Sequence, residues 1–141
     1  MNNEIERLVD KFEEDFNTIG ELHLSFPEMF KKLLDRKEIT KEEFIEETGI
    51  SGPTFDNFLK EDHDPSLKNV TAFCIAFEID VNSYFSLLQA GGYSINYRKK
   101  RDLAYSFLIT DCMGMSIQEC NEILKGIGLP DNDLLIDPIN S

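Results

Sequence analysis

Basic residues are scarce in this chain, and their scarcity constrains its partners. Fourteen Lys and Arg stand against twenty-seven Asp and Glu, a net charge of −13 over 141 residues. That balance repels a phosphate backbone at long range and weakens indiscriminate association with nucleic acid. Tryptophan is absent, and only three cysteines and two histidines occur. Cys74, Cys112 and Cys120 fit neither an even disulfide framework nor a CxxC pair, so a reducing, cytoplasmic setting is expected. A zinc site needs three or four convergent ligands; His23 stands alone and His63 lies in an acidic loop. No P-loop or GxGxxG fingerprint is present. No apolar run approaches the roughly 18 residues of a membrane span, and the acidic start Met1–Glu6 is unlike a signal peptide. No segment sustains period-two alternation, which argues against a sheet. The expectation is therefore a protein that is not an enzyme, with no cofactor, no metal and no membrane partner.

What is present is helical punctuation. Ile5, Leu8, Val9, Phe12, Phe16 and Ile19 form one stripe of an opening helix that Gly20 is expected to end. Two readings fit this stripe: packing on its own domain, or a seam with a second chain. A second helix runs from Pro27 through Phe30, Leu33 and Leu34 to about Lys37. Thr40 with Glu43 is a capping box for a third helix that stops at Gly49. Ser51 caps a fourth through Phe55 and Phe58, and Ser66 a fifth through Val70, Phe73, Cys74 and Phe77. Asp80 caps a sixth through Tyr84, Phe85 and Leu88. After the break at Gly91-Gly92, Ser94 is expected to open a long helix reaching about Met113. Ser116 with Glu119 is a second capping box, and Gly126, Gly128 and Pro130 stop that last helix. The tail from Asp131 is expected to be loosely held. About eight helices make this an all-α chain.

The stretch Phe26–Phe85 resembles the Xre/Cro-repressor-type helix-turn-helix family over about sixty residues. Thr40-Lys41-Glu42-Glu43-Phe44 matches the start of that family's first motif helix, and Gly49-Ile50-Ser51 its turn. Thr54-Phe55 falls on its recognition helix, Pro65-Ser66-Leu67 at its fourth helix, and Asp80–Phe85 at its closing helix. The resemblance implies a five-helix repressor-like domain at 21–90. An N-terminal amphipathic helix at 1–20 precedes it, and a two-helix C-terminal extension at 91–130 and a tail at 131–141 follow. Leu87–Leu129 is loosely similar to an extension found after such domains in small bacterial regulators, which implies no activity.

The departures from the family pattern bear on function. Lys41 replaces a common Gln where a side chain meets phosphate, and Ile45 replaces a small Ala packed on the recognition helix. Gly52, Pro53, Asp56 and Asn57 occupy positions where polar or basic groups often reach DNA; Gly and Pro offer no side-chain donor there and Asp repels phosphate. Ser51, Thr54, Asn57 and Lys60, with Lys41, remain as DNA-contact candidates. Asn57 either bonds an adenine edge or is simply a polar residue on an exposed face. Residues 41–66 carry a charge of −6, and the loop Glu61-Asp62-His63-Asp64 is a poor surface for a phosphate backbone. Glu42, Glu43, Glu46 and Glu47 read as a solvated face. The basic cluster Arg98-Lys99-Lys100-Arg101, expected in the first two turns of a helix, fits internal pairing, nucleic-acid contact or an acidic partner.

Two functions follow. The first is a dimeric, sequence-specific DNA-binding transcriptional regulator. The alternative is an acidic helix-turn-helix scaffold that holds a basic protein, for instance as a nucleic-acid mimic or inhibitor.

Overall fold

In a computed structural model, residues 3–22, 24–63 and 65–137 are described, with the side chains of 17–22 left out. The described residues are all-α: eight helices and no strand. They are α1 (Asn3–Leu22), α2 (Phe26–Arg36), α3 (Lys41–Thr48), α4 (Gly52–Phe58), α5 (Leu67–Ala76), α6 (Val81–Ala90), α7 (Lys100–Asp111) and α8 (Ile117–Ile127). A 3-10 turn at Asp131–Asp133 follows.

Local capping sets most of these boundaries. Complete capping boxes start α2 (Ser25/Glu28), α3 (Thr40/Glu43) and α8 (Ser116/Glu119), and Ser51, Ser66 and Asp80 cap α4, α5 and α6. Gly49 ends α3 in the left-handed conformation at φ 73°, which lacks a Cβ penalty only for glycine. The helix α5 is the axis of the fold: Val70 through Ile75 are all buried, and α3, α6, α7 and α8 pack around it. One hydrophobic cluster runs without interruption from Phe26 on α2 to Leu135 beyond α8.

A glycine couples the end of α6 to this cluster. A Cβ on Gly91 would sit 2.4 Å from Cε2 of Tyr93, so only glycine leaves room for that ring. Tyr93 in turn packs on Phe26 and donates its hydroxyl to the Pro65 carbonyl. The chain leaving α6 is thus fastened to α2 and to the loop before α5.

Four expectations are corrected. The first helix passes through Gly20 to Leu22, because one glycine inside a helix costs only about 1 kcal/mol. Ser94 does not open α7, which begins at Lys100. The carboxylate of buried Asp102 accepts the Asn96 N–H at 3.0 Å, and the Asn96 side chain accepts the Arg98 N–H at 3.0 Å, holding 96–98 in a turn. Gly126 lies inside α8, and Gly128, at φ 99°, is the stop. The tail is docked rather than loose as far as Asp137. Asn121 donates to the Leu135 carbonyl at 2.9 Å and accepts its N–H at 2.8 Å, while Tyr105 and Lys68 donate to the Asp133 and Asn132 carbonyls. That burial pushes the Tyr105 hydroxyl up to about 12. The stripe on α1 is a fifth finding, since Ile5, Leu8, Val9, Phe12 and Phe16 do not join the core; the side chain of Ile19 lies outside the described residues.

Asn121→Ala should strand two buried backbone groups of Leu135 and lower stability by about 1–3 kcal/mol. Denaturant unfolding checks this, and an unchanged midpoint would mean that the tail adds nothing to the fold.

Candidate nucleic-acid interface

The helix pair α3–α4 is held from below by aromatic rings. Phe44 of α3 and Phe55 and Phe58 of α4 are buried against Phe30 of α2, with centroid separations between 4.8 and 5.8 Å. Between the helices, Thr48 is fully buried and spans the turn. Its hydroxyl donates to the Phe44 carbonyl at 2.6 Å and accepts the Ile50 N–H at 3.0 Å. The turn therefore leaves no buried donor unmet at the point where the chain changes direction.

With Phe55 and Phe58 facing inward, Pro53 and Asp56 are the exposed residues of α4, and Thr54 and Asn57 are half-buried at its flanks. Ser51 is the N-cap before the helix, and Lys60 follows its C-cap Leu59. Ser51 is committed to capping: its oxygen accepts the Thr54 N–H at 3.3 Å and its hydroxyl donates to Thr54 Oγ1 at 2.9 Å. Asn57 is half-buried and its amide has no hydrogen-bond partner among the described residues. Lys60 is exposed and makes no ion pair among them. The Asn57 amide, the Lys60 ammonium and the Thr54 hydroxyl, which accepts from Ser51, thus keep donors to spare among the described residues.

Lys41 stands apart. Its ammonium contacts Asp56 Oδ1 at 3.0 Å and lies 5.8 Å from the centroid of Phe55. The pair spans from the first turn of α3 to α4, and the two side chains are 43% and 51% exposed. At that exposure an ion pair contributes at most about 1 kcal/mol. The contact is therefore weak enough for a phosphate to replace.

Ile45 lies against Gly52 across the helix pair. A Cβ on Gly52 would meet Ile45 Cδ1 and Lys41 Cε at 3.6 Å, an ordinary contact, so the larger residue is accommodated without requiring glycine there. The acidity of this region is also partly absorbed. Glu43 closes a capping box, Asp56 holds Lys41, and Glu61 accepts the Ser25 hydroxyl at 3.2 Å. Glu42, Glu46 and Glu47 are exposed, as a solvated face requires; Asp64 and His23 lie outside the described residues.

Residues 29–82 match the family model described as the Cro/C1-type HTH DNA-binding domain. This segment is a Cro/C1-type helix-turn-helix domain. The match begins within α2 and ends in α6, so it contains Lys41 and the whole of α4. Neither the curated proteins nor the solved structures yield a match to the chain.

Outside the Cro/C1-type domain, the basic cluster is only partly paired. Arg101 donates through Nε and Nη2 to Asp102 Oδ1 at 3.1 and 3.0 Å, whereas Arg98, Lys99 and Lys100 make no ion pair among the described residues. Internal pairing thus accounts for one of four. The cluster also straddles the start of α7 rather than filling its first two turns, with Arg98 and Lys99 before the helix. The three cysteines are buried, and burial pushes every one of their thiols up, Cys120 to about 11. Protonated thiols are poor nucleophiles and poor metal ligands. No helix among the described residues is long and apolar enough to cross a membrane.

The pairing of Lys41 with Asp56 and the contact of Ile45 with Gly52 escape a sequence reading. Both partners of each pair are visible, but their contact depends on the angle between α3 and α4. Thr48→Val should leave the Ile50 N–H buried without an acceptor and cost about 1–3 kcal/mol of unfolding free energy. Thermal and denaturant melts of the variant measure this, and wild-type stability would remove Thr48 from the turn's support.

Proposed function

We propose that the protein is a sequence-specific transcriptional regulator of the Xre type that binds duplex DNA as a dimer in the cytoplasm. The observation that carries this reading is the matched domain itself, in which Asn57 of α4 and Lys60 just beyond its C-cap have unused donors. In this reading α4 enters the major groove and Asn57 pairs with an adenine edge, discriminating by about 1–3 kcal/mol. Thr54 and Lys60 contact the backbone and fix the register, and Ser51 joins them when its hydroxyl turns from Thr54 to a phosphate. Lys41 leaves Asp56 for a phosphate, an exchange that a pair of no more than about 1 kcal/mol permits. Asp56 then acts as a brake: it occupies the lysine in free protein and opposes phosphate in the complex. This favours binding only where base contacts supplement the charge, so the acidity raises selectivity at the expense of affinity.

Selection of fragmented genomic DNA by purified protein at about 0.1 M salt tests the proposal, because phosphate contacts still contribute strongly there. Enrichment of a short two-fold-symmetric site is expected, and no enrichment by folded protein would favour the acidic scaffold for a basic partner. On the enriched site, Asp56→Asn should raise affinity at least about twofold, since Lys41 is released and a repelling charge is removed. Lys41→Ala should weaken binding to all sequences and reduce the salt slope by about one. Asn57→Ala should relax preference at one base position. A loss of affinity in Asp56→Asn would contradict the brake.

A further inference from the structure

The apolar stripe of α1 is the largest unaccounted feature of the molecule. Ile5, Leu8, Val9, Phe12 and Phe16 are between 50% and 64% exposed, and the rings of Phe12 and Phe16 stack at 6.0 Å along the open face. An amphipathic helix of 20 residues gains little stability from its own hydrogen bonds and needs its apolar face covered. The core of the protein does not cover it.

We propose that α1 pairs in parallel with the α1 of a second copy of this chain, forming a short two-stranded seam. Ile5, Val9, Phe12 and Phe16 recur at spacings of four, three and four, which places Val9 and Phe16 at the a positions and Ile5 and Phe12 at d of one heptad frame. In that frame the flanking positions are Glu6 and Glu13 at e, and Leu8 and Asp15 at g. Charge then selects the orientation. An antiparallel pair sets e against e, so that Glu6 of each chain meets Glu13 of the other, and like charges disfavour it. A parallel pair sets g against e of the following heptad, so that Leu8 meets Glu13 across the seam and no acid faces an acid. The acids themselves form ladders along their own helix, Glu4 with Arg7 and Asp15 with Lys11, at 2.5 and 3.1 Å.

The parallel orientation also suits the proposed function, on which only this geometric point rests. Ser25 caps α2 three residues after α1 ends, so both DNA-reading domains leave the same end of the seam. Two recognition helices brought together about a two-fold axis are what half-sites roughly 34–36 Å apart demand. Two heptads make a small interface, so the dimer depends on concentration. Because both helices are acidic, salt strengthens it by screening their long-range repulsion; a foreign basic helix would be released by salt instead.

Sedimentation of the full chain without DNA tests the seam. The expected result is a species of twice the 16.2 kDa chain mass that grows with concentration and with salt. The double substitution Phe12→Glu and Phe16→Glu, at exposed positions outside the core, should abolish it while the cooperative unfolding of the core persists, since neither side chain contributes to it. Orientation is read by pulsed electron resonance between nitroxides on Asn3→Cys, because the native thiols are buried. Parallel helices keep the two labels side by side, whereas antiparallel pairing in the same frame separates them by about a further 22 Å along the axis. A monomer at every concentration, a dimer indifferent to the two Glu substitutions, or the long label distance would each overturn the proposal. Binding of the double variant to a duplex with a single half-site separates the two readings. A seam without DNA binding defeats the proposed function alone, and DNA binding by a protein that never dimerises defeats the seam alone.

Discussion

The ring of Phe30 is the point on which the DNA-facing geometry depends. It is fully buried and contacts Phe26, Phe44, Phe55, Phe58 and Phe73, all within 6.2 Å between centroids, so one side chain of α2 locates α3, α4 and α5 together. Edge-to-face and tilted packing dominates these contacts, which gives each ring a preferred angle as well as a position. A helix as short as α4 has little stability of its own, and Phe55 and Phe58 are its anchors in this cluster. The direction in which Asn57 and Lys60 point is therefore a consequence of how the rings underneath interlock.

On that base, the negative charge of the chain has a definite arrangement. Glu28, Glu43 and Glu119 close capping boxes, Asp80 caps α6, and Asp102 holds the turn before α7. The Asp80 carboxyl is held below its ordinary range, chiefly by the Ser83 hydroxyl, so its contribution is present above the usual carboxylate pKa and fades as pH falls through the lowered value. Asp56 and Glu61 are occupied by Lys41 and Ser25. Part of the acidity thus serves helix starts and internal contacts, while Glu42, Glu46, Glu47 and Asp62 remain exposed around α3 and after α4. Asp56 differs from them in holding a lysine.

Where sequence and structure agree, the chemistry is local. Ser51, Ser66, Asp80 and the Thr40/Glu43 and Ser116/Glu119 boxes act over three residues, and Gly49 acts on its own φ, so each can be recognised from neighbouring letters alone. The apolar periodicity of α4, α5 and α6 and the burial of Cys74 were legible for the same reason. The failures are all long-range or conditional. Ser94 has the chemistry of a cap, but the Asn96–Asp102 turn competes for the same segment. The tail contains polar residues that read as loose, and it is fastened by Asn121, Tyr105 and Lys68 from three different helices. At the candidate interface, residue types were legible, but the state of Lys41 was not: its partner lies fifteen positions away, across an inter-helix angle that no spacing rule supplies.

The most direct test of this account is an NMR titration of isotope-labelled protein with a mixed-sequence duplex of about two helical turns. Amide and lysine side-chain signals should move at Lys41, Ser51, Thr54, Asn57 and Lys60, with the Lys41 ammonium changing its environment as it leaves Asp56. Shifts confined to Arg98, Lys99 and Lys100, or no shifts from a folded protein at low salt, would contradict the claim that α3 and α4 form the DNA-binding face.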